Sequence, residues 1–220
     1  MRPGLSEPAF DAEPALAGSP GPTIAATAQR RSASKPALAR AAKRAFDVLF
    51  ASLVLLLTAP FLLLTAALIP LESWGSPLYR QLRMGFNQQP FTLFKLRTMH
   101  ADGRPTRIGA FLRPLGLDEL PQLFNVLRGE MSIVGPRPEV LDRVPGHTRN
   151  LPDYWVRHLV RPGITGWAQI NGLRGHVSIA ERLRYDLEYV ADWNLVLDAR
   201  ILFLTTAAVW RDARRAWWQR

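Results

Sequence analysis

The sequence predicts a mainly α protein with a small β-hairpin (α+β). It is expected to sit at a membrane from one side, through a re-entrant helix–break–helix and interfacial amphipathic helices. Three observations predict this. Val48 to Leu71, VLFASLVLLLTAPFLLLTAALIPL, runs about two dozen positions without a charge, long enough to enter or cross a bilayer. Apolar residues recur at helical spacing through Ile108, Phe111, Leu112 and Leu115, and again through Leu120, Leu123, Phe124 and Leu127. Before them, FTLFKLRTM partly alternates β-prone residues after a turn-like NQQP.

A chain of 220 residues can bury one good core, so one domain with appendages is the expectation. The formal charge of +10 calls for an anionic partner: nucleic acid, a phospholipid surface or a phosphorylated substrate. With no cysteine, disulfides, thiolate metal sites and cysteine nucleophiles are excluded. Residues 1–42 are rich in Ala, Pro, Gly and Ser (GSPGPT, RSASKPALAR), with few large apolar side chains and no sustained period. Such a segment buries too little surface to offset the entropy lost on ordering, and a disordered cytoplasmic tail is expected.

The membrane segment is placed at 43–74. A straight spanning helix is the simplest reading of its apolar run, but Pro60, in TAPF, removes a backbone hydrogen bond near the middle. Arg40, Lys43 and Arg44 precede the run, and Arg80, Arg83, Lys95 and Arg97 follow it. Positive charge on both flanks favours two cytoplasmic ends, which a helix–break–helix dipping into one leaflet satisfies and a single span does not. Pro60 marks the expected break, with the Thr58 hydroxyl a candidate partner for the carbonyl it frees. A kinked single span is the alternative. Arg30-Arg31 lies too far from the run, and the run is too long, for a cleaved signal peptide.

The soluble domain is placed at 75–220. It opens with the hairpin LYRQLRMGFNQQPFTLFKLRTM and continues into two helical pieces that meet near Gly116, at GLDELPQ. Asp118 and Glu119 lie at this break. Asp is a preferred N-cap, Glu suits a first turn and Pro121 is tolerated there, so a cap explains all three locally. A break is also where a side chain can project into a cleft beside helix-terminal N–H groups, which leaves chemistry open. Downstream, MSIVGPRPEV and VRPGITGWAQING carry Arg137 and Arg161 on a backbone stiffened by Gly and Pro. Each guanidinium either forks onto a phosphate or stays solvated on an ordinary loop.

The remainder, ERLRYDLEYVADWNLVLDARILFLTTAAVWRDARRAWWQR, is helical in pattern. Trp193, Trp210, Trp217 and Trp218 with Arg211, Arg214, Arg215 and Arg220 suit a helix at the lipid headgroups, and a core helix with a basic end is the alternative. His100, His147, His158 and His176 show no metal-ligand spacing and receive no role.

Six segments, in order, carry a resemblance: KRAFD (43–47), GSPLYRQLRMG (75–85), FKLRTM (94–99), RIGAFLRPLGLDELPQLFNVLRGEMSIVGPRP (107–138), RPGITGWAQINGLRG (161–175) and RLRYDLEYV (182–190). From Lys43 to Arg211 the chain closely resembles the bacterial sugar transferases, the monotopic phosphoglycosyl transferases that begin exopolysaccharide and O-antigen assembly. The resemblance implies a re-entrant helix on the cytoplasmic face of the bacterial inner membrane, and transfer of a sugar-1-phosphate from a UDP-sugar to undecaprenyl phosphate with release of UMP. It implies Asp118 as nucleophile with Glu119 as its partner, and bound magnesium, for which Asp118 is the expected ligand. Arg113 and the GPRP loop (Gly135, Pro136, Arg137, Pro138) are expected to contact the diphosphate and nucleotide. Lys95, Arg97 and Arg161 complete the expected substrate-binding set. Ala59-Pro60 stands where the family often has Ser-Pro, and HADGRP (100–105) is shorter than usual. The four transmembrane helices that precede this region in larger relatives are not expected here.

The residue types suit the chemistry. A nucleophile approaching the sugar-linked phosphorus meets a diphosphate that is already anionic, so magnesium and arginines must screen it. An aspartate can then attack to give an acyl phosphosugar, the same kind of species as an aspartyl-phosphate, and so split the reaction into two steps. Adjacent helical residues point about 100° apart, so unequal roles for Asp118 and Glu119 are reasonable. The expected partners are a UDP-sugar, undecaprenyl phosphate and an anionic phospholipid surface, not nucleic acid, and a homodimer is admitted. The rivals are a non-catalytic basic membrane protein and a polyprenyl diphosphate phosphohydrolase.

Overall fold

The computed structural model describes residues 22–173 and 177–218. Two helices come first, α1 (Pro22–Ala33) and α2 (Ala37–Glu72), then a hairpin of β1 (Leu78–Met84) and β2 (Pro90–Leu96). Helices α3 (Arg107–Leu115) and α4 (Gln122–Arg128) lead to strand β3 (Ser132–Val134), helix α5 (Val144–Asn150) and strand β4 (Gly163–Thr165). Short α6 (Trp167–Ile170) and the longer α7 (Ile179–Asp192) and α8 (Leu195–Trp218) complete the chain. The architecture is mainly helical, as expected, with the expected antiparallel hairpin. A second two-stranded sheet, parallel, pairs Ser132 with Gly163 and Val134 with Thr165.

The tail expected to residue 42 is helical from Pro22 onward, and α2 begins within it; residues 1–21 lie outside the described residues. Ala25 and Ala28, one turn apart, are buried in a cluster with Leu183, Leu187 and Val190 of α7. Alanine is the strongest helix former, and its small side chain lets two backbones approach, so α1 packs without large apolar residues.

The 36 residues of α2 amount to about 54 Å of helix. The expected interruption at Pro60 is absent: the helix is continuous through Pro60 and Pro70. A proline costs the bond to the carbonyl four residues back, but the rungs on either side persist. The Thr58 hydroxyl bonds the Val54 carbonyl at 2.7 Å instead of the one Pro60 frees. Only 17% of the apolar window is buried, unlike a core helix. Leu49, Leu53, Leu56, Leu57, Leu63 and Leu64 all face outward, as in a membrane-associated helix.

Both ends of α2 are bonded to the same body. Near the start, the buried Asp47 carboxylate accepts from Ser132 Oγ and the Ile133 N–H, each at 3.0 Å. Arg44 donates to the Val126 and Leu127 carbonyls at 2.6 and 2.9 Å, satisfying the end of α4. Lys43 pairs with Asp198 of α8 at 2.6 Å. At the far end, Ile69 is buried with Leu96 and Leu112. The Glu72 carboxylate accepts from the Arg107 and Ile108 N–H groups, capping α3 together with Thr106, which accepts from Gly109 N–H at 2.8 Å.

The main core lies between α2, the hairpin, α4, β3 and α8, through Ala51, Leu93, Val126, Ile133 and Ile201. The expected headgroup cluster divides. Trp193 is buried, with its carbonyl accepting from Lys35 at 2.8 Å, so it belongs to the core. Trp210 and Trp218 are exposed on α8. The side chains of Arg215 and Trp217, and all of Arg220, lie outside the described residues.

Candidate active site

The carboxylate pair owes its position to a glycine. Helix α3 ends on Gly116 at φ +67°, a backbone conformation that side chains with a Cβ rarely adopt. The chain then makes one 3-10 turn, Leu117–Glu119, and enters α4 through Pro121. The N-cap of α4 is Pro121, and Asp118 caps nothing. The local reading of Asp118 as a cap therefore fails.

Glu119 is held from two sides. Lys95 Nζ donates to Oε1 at 2.6 Å, and Arg137 forks across both oxygens at 2.6 and 3.1 Å. Burial disfavours the Glu119 charge, but Arg137 and Lys95 outweigh it and hold the carboxyl well below the usual carboxylate range. Asp118 is 8% exposed and accepts no hydrogen bond from another described side chain. Burial first, and then the adjacent Glu119 charge, raise its carboxyl above the ordinary aspartate range, against the pull of Lys95 and Arg113. One carboxylate is locked and charged; its neighbour is open and reluctant to ionise.

Both face a cleft of about 1160 Å³. Lys95, Arg97, Arg113 and Arg137 line it with them, so six of the expected residues come together. Arg97 is already engaged, donating to the Ser73, Trp74 and Gly75 carbonyls, the last at 3.1 Å, and it secures the end of α2.

The other expected contacts lie elsewhere. Gly135 packs backbone against backbone: a Cβ there would fall 2.4 Å from the Arg161 carbonyl oxygen. The Pro136 carbonyl accepts from Gly163 N–H at 2.9 Å and the Pro138 carbonyl from Arg83 at 3.0 Å, so both prolines shape the loop that carries Arg137. Arg161 is remote from the cleft. Its Nε donates to the Gly129 carbonyl at 2.8 Å, a helix-end group without a helical partner, and its guanidinium sits over the Phe86 ring.

Sequence reasoning missed Tyr79, Gln81 and Arg83, which line the cleft from alternate positions of β1. The signal was period-2 spacing opposite Lys95, since Tyr79 pairs with Lys95 across the hairpin. Arg83 also donates to Gln81 Oε1 at 2.6 Å. Behind the cleft, buried Arg157 donates to the Arg137 carbonyl at 2.7 Å and to Tyr154 at 2.6 Å, and pairs with Asp186 at 2.7 Å.

A magnesium ion is compatible with this donor set. Such an ion usually takes one or two carboxylates, waters and substrate phosphate oxygens. Glu119 is committed to cations and Glu72 to the α3 N-terminus, while Asp118 is open. Among the described residues no group of three or more His, Asp or Glu side chains could hold a metal alone. Asp118 is the residue of this set that fits as a protein ligand of such an ion.

Residues 38–212 match the family described as "Bacterial sugar transferase". Over 184 residues the chain is 47% identical to the "Undecaprenyl-phosphate glucose phosphotransferase" of Komagataeibacter xylinus, covering 74% of this chain and 35% of that protein. It is 43% identical to a Caulobacter vibrioides "UDP-glucose:undecaprenyl-phosphate glucose-1-phosphate transferase", covering 76% of this chain and 69% of that one. An Aeromonas hydrophila "UDP-N-acetylgalactosamine-undecaprenyl-phosphate N-acetylgalactosaminephosphotransferase" is 39% identical, with 76% and 43% covered. The motif order read along the sequence, the convergence of its LDELPQ carboxylates with Lys95, Arg97, Arg113 and Arg137, and a match over most of the length agree: the chain belongs to the bacterial sugar transferase family.

Proposed function

We propose that the chain transfers a sugar-1-phosphate from a UDP-sugar to undecaprenyl phosphate, releasing UMP and leaving a polyprenyl-diphosphate-sugar. The names of the relatives support the two substrates. The observation that carries the reading is the unequal state of the carboxylates: Glu119 fixed by Lys95 and Arg137, Asp118 open to a cleft that Arg83 and Arg113 also line.

Glu119 neutralises part of the Lys95 and Arg137 charge and fixes both cations beside its neighbour. Arg83 and Arg113 then face the diphosphate, and a magnesium ion, which Asp118 would hold, would supply further charge neutralisation. An Asp118 carboxylate oxygen attacks the sugar-linked phosphorus. The bond from that phosphorus to the bridging oxygen breaks, and its electron pair leaves with UMP. The sugar phosphate stays on Asp118 as an acyl phosphate until an oxygen of undecaprenyl phosphate attacks the same phosphorus and restores the carboxylate. A carboxylate with a raised pKa is the better nucleophile once ionised.

The lipid acceptor calls for a site at the bilayer, and the bonds from both ends of the unbroken α2 to one body support both ends lying on the cytoplasmic side over a span. Single cysteines near Ser34 and Ser178 should both resist a membrane-impermeant thiol reagent in intact cells; labelling of one alone would establish a span.

The reaction is tested in nanodiscs with magnesium and a panel of UDP-glucose, UDP-galactose and UDP-N-acetylgalactosamine. The correct donor without undecaprenyl phosphate should release about one equivalent of UMP and leave phosphosugar on the protein. Asp118→Asn should abolish burst and turnover. Normal turnover with no burst and no adduct on Asp118 would overturn the covalent route and leave Asp118 a metal ligand.

A further inference from the structure

We propose that the cavity at the α1–α2 junction is a binding site for the phosphate of an anionic phospholipid, separate from the catalytic cleft. The cavity, of about 400 Å³, lies between the end of α1, the first turns of α2 and the hairpin tip at Phe86. Its ionisable walls are Arg40, Lys43, Arg44, Arg161 and Asp47.

Lys43 is balanced by Asp198. Asp47 is buried against Ser132 Oγ and the Ile133 N–H, neutral donors that leave its charge in place to offset one cation. Three guanidiniums stand against that single carboxylate. Arg44 bonds two carbonyls, Arg161 bonds one, and Arg40 is exposed; no carboxylate among the described residues forms a salt bridge with any of them. Carbonyl oxygens fix the direction of a guanidinium without cancelling its charge, so the cavity keeps a positive excess. Burial and the nearby Arg44 charge lower the Arg161 pKa, a repulsion that an anion in the cavity relieves.

The position selects a lipid. Arg40 and Arg44 lie one to two turns before the uncharged run that begins at Val48. On the reading of α2 as seated in the membrane, on which this inference rests, Arg40 stands about 13 Å along the axis from the exposed Leu49. That is headgroup depth. Ala33, Phe86, Leu159 and Trp193 give the same cavity apolar wall, which suits glycerol and the first acyl carbons better than a fully hydrated ion.

Native mass spectrometry of the full chain from detergent micelles, titrated with phosphatidylglycerol or phosphatidylcholine, reads this site without turnover. Wild type should retain one phosphatidylglycerol in preference to phosphatidylcholine. Arg40→Gln should weaken retention about fivefold, as expected for one basic residue near a charged lipid, and R40Q/R161Q further. Arg80→Gln, at an exposed residue of β1, should change nothing. Arg161 also supports the Gly129 carbonyl, so the single Arg40 variant keeps the test decisive should the double variant misfold. Equal retention of the two lipids, or undiminished retention in the Arg40 variant, overturns the proposal. Displacement by millimolar inorganic phosphate also overturns it, by assigning the cavity to a free anion; indifference to phosphate supports the lipid. UMP release is measured separately: selective retention without UMP release removes the proposed reaction and leaves this site standing.

Discussion

Asp118→Asn removes a charge from a place that burial and Glu119 make unfavourable to it. A carboxyl whose folded pKa lies above its unfolded one contributes most to stability at low pH, and that contribution is lost as the pH rises through the folded value. Above that folded value the ionised aspartate therefore costs stability. The Asn variant should release no UMP yet melt higher, by about 2–4 °C for each kcal/mol recovered. The same shift should place the acid limb of the wild-type rate profile above the pH of an ordinary aspartate, since activity falls as Asp118 protonates. Arg157 behaves differently, because its partner Asp186 is buried too. Arg157→Met should cost about 3–5 kcal/mol by leaving a buried carboxylate uncompensated, and adding Asp186→Leu should recover a large part. Urea unfolding of both variants checks this. Of the residues lining the cleft, Asp118, Glu119, Lys95, Arg113 and Arg137 were legible because motif order carried them to one place. Arg161 was not: an arginine on a Gly/Pro loop reaches a substrate phosphate or a stray carbonyl equally well, and only the fold, which sets it beside Gly129 and away from the cleft, decides.

Among the elements, the hairpin was readable because alternation in FTLFKL maps directly onto strand geometry, and the α3–α4 break because Gly116 interrupts a clear helical period. Helix α1 was not readable. Its buried face is made of Ala25 and Ala28, which stand out on no hydrophobicity pattern, and the contact that rewards them comes from α7. The β3–β4 pair is three residues on each strand and joins segments far apart in sequence, so no local period announces it. The continuity of α2 through Pro60 was missed because a missing rung is a local fact, whereas persistence depends on the long helix around it. Ala28→Asp tests α1 directly. A charge at this fully buried position should cost about 2 kcal/mol or more and lower Tm by about 4–8 °C, where a disordered tail would leave melting unchanged.

Across the whole molecule, charge and apolar surface are arranged around one long helix whose start is tied to β3, α4 and α8 and whose end is tied to α3 and the hairpin. A helix anchored at one end only must tilt, kink or deform the surrounding lipid when membrane thickness changes, at a fraction of a kcal/mol per ångström. Here the separation of the two anchorages is fixed by protein contacts, so α2 acts as a caliper set by the body that holds it. UMP release in vesicles with acyl chains of about 14 to 20 carbons should therefore vary little at constant headgroup composition, whereas a spanning helix should show an optimum. Trp74 stands at the cleft edge directly after that helix, almost fully exposed. On the proposed reaction, the distance from lipid surface to Asp118 then becomes a constant of the protein, and a carrier phosphate tethered to a lipid of any tail length would meet that carboxylate at the same height.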